Sequence, residues 1–314
     1  MKTLVLGGTG FIGSYVVDRL LAGGHKVRVF SRSQERFRSP LSEVDYRLAD
    51  FNDIPALVEA LSGIDVVYHL ISTTTPGTSN QDPIFDIQSN LAASVRLMQL
   101  IRDSGVRRLV YLSSGGTVYG IPEILPIPEE HPLRPICSYG IVKVAVENYL
   151  HMFQKLHGLD YVVIRASNPY GERQGHYGVQ GVIGTFLNKI LQGEELEIWG
   201  DGGLVRDFVY VKDLADLCVV AGESDKSGVY NGGSGKGHSI EEVRGCVEQA
   251  VGRKVSVKRR ASRDFDVPRV VLDISKASRD FNWHPEMDLA TGIKITWDDI
   301  AKSAGRSADM GGEI

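Results

Sequence analysis

A chain of 314 residues can bury a full core and divide into two lobes. Its formal net charge of −4, with 24% charged residues, supplies no basic field that would draw it to nucleic acid. Its three cysteines, Cys137, Cys218 and Cys246, are widely spaced, with no C-x-x-C and no histidine cluster beside them. A disulfide framework or a metal site is therefore not expected, and a reducing cytoplasm fits. The opening Met1-Lys-Thr-Leu-Val-Leu enters a glycine loop at once, and no apolar run reaches spanning length. The expectation is a soluble cytoplasmic protein without a signal peptide or membrane anchor.

In chain order, Thr3–Leu6 reads as a strand and Phe11–Ala22 as a helix. Val27–Phe30 and Asp45–Leu48 are strands, and Ile54–Leu61 is a short helix. Asp65–Ile71 is a fourth strand, Ile84–Asp103 a long helix and Arg108–Ser113 a fifth strand. A loop with Pro122, Pro126, Pro128, Pro132 and Pro135 precedes a helix over Ser138–Leu156, and Tyr161–Arg165 is a sixth strand. Alternation of this kind, with nearly continuous apolar strands, predicts an α/β fold built on a doubly wound parallel sheet. From Asn168 glycine becomes frequent and the alternation lapses, which predicts a smaller, irregular C-terminal lobe. The division is therefore 1–167 and 168–302, with a segment near 205–232 returning to the first lobe. The small, polar residues 303–314 read as a disordered tail.

Gly7, Gly10 and Gly13 fall between the first strand and its helix. A tight turn there lets the backbone approach a pyrophosphate while the helix N-terminus faces the anion, so residues 1–167 read as a dinucleotide-binding domain. The end of the second strand selects the cofactor, because a carboxylate there accepts the ribose hydroxyls of NAD and repels a 2′-phosphate. This chain has Ser31-Arg32-Ser33 instead. Ser31 can donate to a phosphate and Arg32 can hold it as a fork, so NADP is favoured over NAD. Asp50, closing the third strand, is placed to accept from an adenine amine or to cap its loop.

Tyr139-Gly-Ile-Val-Lys143 sets a phenol and an ammonium one helical turn apart on one face. A free phenol, with a pKa near ~10, is a poor base at neutral pH, and a lysine nearby favours the phenolate. Together with the glycine loop this points to hydride transfer at a carbinol carbon beside a nicotinamide.

These motifs resemble those of the extended short-chain dehydrogenase/reductases, in the nucleotide-sugar epimerase/dehydratase branch, whose fold is a doubly wound parallel Rossmann sheet with a C-terminal substrate-binding lobe. The resemblance covers about residues 1 to 300. It rests on the glycine loop, Asp50, Tyr68-His69-Leu70, Asn90, Ser113 to Gly120, Tyr139-x-x-x-Lys143 and Asn168-Pro-Tyr-Gly171. It continues through Leu196-x-Ile-Trp199-Gly-Asp-Gly, Arg206 to Asp213, Arg263-x-x-Asp266, Asp273-x-Ser-Lys276 and Trp283. The likeness implies that Tyr139 is the base and that Lys143 is its partner and holds the nicotinamide ribose. Phe11, Ile12, Phe51, Leu70, Asn90 and Ser113 would join the glycines around the dinucleotide. On the substrate side it implies Thr74, Asn168 at the diphosphate, Trp199 near the base, Arg206 and Arg263 as a diphosphate clamp, and Asp266 on a ribose hydroxyl. It also implies a homodimer through Ile84–Asp103 and Ser138–Leu156, with Leu91, Val95, Met98, Val144, Tyr149 and Met152 at the interface.

The chain departs from the family at Gly115, where a Ser or Thr normally hydrogen-bonds the reacting hydroxyl. Thr117, or less directly Ser114, could supply that hydroxyl. Gly116-Thr117 also stands where a 4,6-dehydratase needs an Asp-Glu acid/base pair and a decarboxylase needs the glutamate, so both reactions are disfavoured. The expectation is 4-epimerisation of a nucleotide sugar, with a UDP-hexose as substrate, through a 4-keto intermediate. An NADPH-dependent 4-ketoreductase and an inactive dinucleotide-binding sensor are the alternatives.

Overall fold

The computed structural model describes residues 1–174, 181–261 and 267–310, with side chains to residue 304. Its first strand, β1 (Lys2–Leu6), is buried on both faces from Thr3 onward, as suits the centre of a parallel sheet covered by helices on each side. A glycine turn feeds α1 (Phe11–Ala22), followed by β2 (Lys26–Ser31) and β3 (Val44–Leu48). α2 (Ile54–Leu61) begins at Asp53, whose carboxylate accepts from the Ala56 N–H at 3.1 Å, with a proline in the first turn where its missing N–H costs nothing. After β4 (Val66–His69), the stretch that reads as one helix is three segments in line. They are α3 (Pro83–Asp86), a π-helical turn over Ile87–Ala92, and α4 (Ala93–Ser104). Then come β5 (Arg108–Ser114), α5 (Ser138–His157) and β6 (Asp160–Ala166).

The remaining elements are β7 (Asn168–Tyr170), α6 (Val182–Leu191), β8 (Leu196–Trp199), β9 (Val205–Tyr210), α7 (Val211–Glu223) and β10 (Gly228–Gly232). β11 (Gly237–Ser239) leads into α8 (Ile240–Val251), which Ser239 and Glu242 cap reciprocally. β12 (Val257–Arg260), β13 (Arg269–Val270), α9 (Ser275–Phe281) and α10 (Leu289–Met310) follow. α10 runs past residue 303, so the tail expected to be disordered is helical as far as Met310, and 311–314 lie outside the described residues.

Seven parallel strands form the main sheet in the order β3-β2-β1-β4-β5-β6-β10. The order reverses between β1 and β4, and a crevice opens at the C-terminal ends of these strands. β10 completes the sheet beside β6 while α7 packs on α1, so the second half of 205–232 belongs to the first lobe. β9 stays in the second lobe with β7, β11 and β13, and β8 pairs with β12. One core cluster lies on each face of the main sheet and a third gathers under α6, α8 and α10.

A buried ion pair fastens α5 to this sheet. The Arg165 guanidinium on β6 meets the Glu147 carboxylate on α5 at 2.7 Å, with each side chain only 5% exposed. Glu147 also accepts from Ser113, while Arg165 donates to the Tyr119 hydroxyl at 3.0 Å and to the Glu129 carbonyl at 2.9 Å. Tyr119 in turn donates to Asn231 on β10 at 2.7 Å.

The apolar residues of the two helices expected at an intersubunit face divide differently from the expectation. Met98 is fully buried in the chain's own core, and Leu91 and Val144 pack against core clusters. Ile84, Phe85, Ile87, Ile141, Tyr149, Met152 and Leu156 are the exposed ones. Helical spacing alone does not distinguish an inward stripe from an outward one. Among the described residues no helix is long and apolar enough to cross a membrane.

Candidate active site

The glycine turn is built by contact. Gly7 has a φ of +85°, which glycine adopts without strain, and its carbonyl accepts from Gly10 N–H at 3.0 Å. A Cβ on Gly13 would lie 2.1 Å from that carbonyl, so α1 can approach the strand end only with glycine there. Phe11 and Ile12 occupy the first turn of α1 and pack on the core, leaving the helix N-terminus facing a cleft of about 600 Å³. That volume lies within the range for cofactor-sized ligands. Gly7, Gly10, Ser31, Arg32, Asp50, Phe51 and Leu70 line it. Orphan N–H groups, a backbone that approaches closely and a cleft at the switch point together fit a dinucleotide.

At the far end of the cleft the structure adds groups that the motif reading missed. Ser33 and Arg36 join Ser31 and Arg32 in the wall, and Arg36 donates to Ser33 at 3.0 Å. No local pattern announces Arg36, because the segment is irregular and a loop brings it back. Asp50 accepts from the Asn52 backbone and side-chain amides at 2.9 and 3.1 Å, which together with Arg32 hold its carboxyl below the usual range.

The reactive pair sits at the start of α5. Ser79 and Asn80 accept from the N–H groups of Tyr139 and Ser138, which satisfies orphan donors of this helix end. Burial around the Tyr139 phenol pushes its pKa up to about 12, with the Ser72 side chain acting in the opposite direction. Burial brings Lys143 down to about 8, against the carboxylates of Glu147 and Asp86. Its ammonium donates to the Leu112 carbonyl at 2.9 Å and lies 5.3 Å from the centroid of the Tyr139 ring. Burial is the largest influence on the phenol, and the Lys143 ammonium is engaged with Leu112.

Gly115 leaves no room for a side chain. A Cβ there would meet Leu272 Cδ1 at 2.6 Å and the Arg165 carbonyl at 3.0 Å. Thr117 Oγ1 is buried without a hydrogen-bond partner, and its carbonyl would lie 2.8 Å from a Cβ on Gly140, next to Tyr139. An unpaired buried hydroxyl is available to a ligand that reaches it. Ser114 is half-buried at the end of β5.

Other expected groups are engaged within the protein. The Ser113 hydroxyl turns to Glu147, and Thr74 donates to Asp86 at 2.7 Å. Asn90, in the π-helical turn, accepts from Thr73 N–H at 2.9 Å and donates to the Thr73 hydroxyl and Asp86 at 2.8 and 2.9 Å. It thereby clasps the cleft wall. π-turns inside α-helices often mark functional positions. In the second lobe Asn168 donates to the Asp207 carbonyl at 2.8 Å, Arg206 reaches the Val205 carbonyl at 2.9 Å, and Trp199 is 40% exposed. Arg263 and Asp266 lie outside the described residues. Among the described residues no His, Cys, Asp or Glu cluster could hold a metal ion.

Residues 3–233 match the model of the NAD dependent epimerase/dehydratase family. The chain is 34% identical to a putative UDP-glucose 4-epimerase of Methanocaldococcus jannaschii, over 94% of its own length and 97% of that protein. It superposes with a TM-score of 0.92 on the crystal structure of UDP-glucose 4-epimerase from Thermotoga maritima with UDP-glucose, at 33% identity, covering 97% and 100% of the two chains. It also superposes with a TM-score of 0.89 on the Thermus thermophilus UDP-glucose 4-epimerase complex with NAD, at 34% identity and 96% and 99% coverage.

The crowding at Gly115 and the orphan at Thr117 predict opposite outcomes for two variants. Thr117→Val keeps the shape and removes only a hydroxyl, so it should leave stability unchanged or raised. Its turnover should fall about a hundred-fold, the loss expected when a preorganised donor is removed, about 2.7 kcal/mol. Gly115→Ser should lower stability by roughly 1–3 kcal/mol through overpacking and should not restore the Thr117 variant. Urea unfolding with steady-state rates checks both. A harmless Thr117→Val would transfer the role to another hydroxyl.

Proposed function

The chain belongs to the NAD dependent epimerase/dehydratase family, and on that premise we propose that it interconverts the C4 epimers of a UDP-hexose. The observation that carries this is the Tyr139 and Lys143 pair beside the dinucleotide cleft, with no carboxylate in the Gly116-Thr117 turn to move protons at C5 or C6. Asp86, the buried carboxylate near the pair, already accepts from Thr74, Asn90 and Ser138 and so is a poor acid/base. UDP is supported by the ligand of the Thermotoga relative.

A nicotinamide dinucleotide held at the Gly7, Gly10 and Gly13 turn would supply the acceptor and donor of the C4 hydride. The chain's residues do the rest. Tyr139, as phenolate, accepts the proton of the 4-hydroxyl, so the O4–H bond breaks as the C4 carbonyl forms. Thr117 donates to the oxygen that develops charge. After the keto sugar presents its other face, Tyr139 gives the proton back. Lys143 holds the ribose side of the site from Leu112, and Asn168, Trp199 and Arg206 receive the nucleotide diphosphate.

Ser31, Arg32 and Arg36 support NADP over NAD at the adenosine end, where a 2′-phosphate would be anchored. That same cluster favours the second reading, a 4-ketoreductase that draws on free NADPH. The exposed face of Ile84, Ile87, Ile141, Tyr149 and Met152 supports a homodimer. Sedimentation at micromolar concentration should give twice the 34.4 kDa of one chain, and a single-chain species alone would contradict this.

Tyr139→Phe keeps the ring and removes the proton-transferring oxygen. Turnover should be abolished with dinucleotide and UDP-sugar binding nearly unchanged. Activity within tenfold of the parent would assign the base to another group. Arg32→Ala should weaken NADP(H) by roughly ten- to a hundred-fold, the worth of one charge-assisted contact, about 1.5–3 kcal/mol, and leave NAD(H) almost unchanged. Equal losses measured for both would place Arg32 in the fold rather than at a phosphate.

A further inference from the structure

Two loops from different lobes are fastened to one helix through one carboxylate. The loop after β2, which carries Ser31, Arg32, Ser33 and Arg36 into the cleft, reaches α1 through Arg38. Arg38 pairs with Asp18 Oδ1 and donates to the Ser14 carbonyl at 3.4 Å. The segment that follows β7, just beyond Asn168, reaches the same helix through Arg173. Arg173 pairs with Asp18 Oδ2 at 2.8 Å and donates to the Ser14 hydroxyl at 3.2 Å. Ser14 and Asp18 are one turn apart on α1, whose N-terminus faces the cleft.

We propose that Asp18 is the positioning residue through which an occupied dinucleotide cleft orders the nucleotide-sugar side of the site. The inference rests on the reading of Asn168 and Arg206 as that side. A dinucleotide held at Ser31, Arg32 and Arg36 fixes their loop, and with it the Arg38 guanidinium. Asp18 is then held on Oδ1 and presents Oδ2 to Arg173. Each guanidinium has its own carboxylate oxygen, so the two do not compete for Asp18. A second ligand that meets a segment already ordered loses less conformational entropy, so the two ligands favour each other's binding.

The geometry on both sides favours this assignment. Arg173 has a φ of +63°, a region that a bulky residue rarely adopts and that persists only where neighbours impose it. Its guanidinium lies 4.3 Å from the centroid of the Tyr15 ring on α1, and the Tyr15 hydroxyl donates to the Glu172 carbonyl at 3.0 Å. Glu172 accepts from Tyr210, at the end of β9, at 2.5 Å and from Lys212 at 3.0 Å. β9 carries Arg206 and pairs with β7 at Asn168, so the segment held by α1 continues into the expected diphosphate groups. On the dinucleotide side, Thr9 in the glycine turn donates to the Ser33 carbonyl at 3.2 Å. Glu35, with its side chain only 1% exposed, faces Arg38 at 3.5 Å.

The test is equilibrium binding of NADPH or NADH, whichever the full-length chain holds more tightly, followed by fluorescence with and without saturating UDP. In the parent UDP should lower the Kd of the dinucleotide about tenfold, within the usual range of coupling between sites. In Asp18→Ala that ratio should fall below about twofold. Arg173→Gln should show the same loss, and the double variant should be no worse than either. Arg19→Ala, at the next residue of α1 but paired with Asp216, should keep the parent ratio. A merely structural role for Asp18 weakens the dinucleotide by one factor with and without UDP and leaves the ratio intact. That result, or a parent without coupling, would overturn the proposal. Hydrogen exchange gives a readout without UDP: the dinucleotide should protect the backbone amides of 171–174 in the parent and not in Asp18→Ala. Protection that is the same in both chains, or absent from the parent, counts equally against it. If UDP does not bind the parent, the reading of the sugar site has failed instead, and the exchange measurement still decides whether Asp18 links the two loops.

Discussion

The ion pair between Arg165 and Glu147 is the interaction on which the site depends, because it decides where α5 lies. Glu147 is one turn beyond Lys143 and two beyond Tyr139, so fixing its carboxylate fixes both reactive side chains against β5 and β6. The Ser113, Tyr119 and Asn231 contacts satisfy the remaining polar groups and carry the anchor to β10. A buried pair of this kind is weak evidence for net stability, since an apolar replacement can do as well. Removing one partner, however, leaves an uncompensated buried charge at a cost of about 3–5 kcal/mol. The pair therefore specifies one position of the helix.

Opposite that helix stands a wall of short polar side chains. Asp86 gathers Thr74, Asn90 and Ser138, and Asn90 gathers Thr73, so the loop after β4 and the start of α5 are tied through one carboxylate. Between these sides Lys143 is buried and Tyr139 half-buried. Burial raises Tyr139 to about 12 and lowers Lys143 to about 8, so the charged form of each is disfavoured.

Most of the frame was legible in the sequence for physical reasons. Apolar strands buried on both faces have no polar alternation to confuse, and the glycine spacing reflects a contact that only glycine allows. β10 is the last strand of the main sheet, while β9 pairs with β7, β11 and β13. Legibility failed where the deciding fact is tertiary. The π-turn carries no Pro or Gly to announce it, and the direction in which Met98 faces depends on α4's neighbours. Motif membership also mixed two kinds of residue. Asp207 is fully buried and accepts from the backbone of Ser234, Gly235 and Leu272, while Asp213 holds Met287 N–H at 3.1 Å. Both organise the fold beside Arg206 rather than meeting a ligand. Arg36 is a common residue in an irregular segment, and only its neighbours in space bring it to the cleft.

The central claim is that the C4 hydrogen leaves and returns within one active site. The most direct measurement supplies UDP-galactose, or its N-acetylated counterpart, deuterated at C4, to the purified holoenzyme without added reductant. The account predicts the C4 epimer with the deuterium still at C4. Loss of the label to solvent, or product formed only with stoichiometric NADPH, would contradict it.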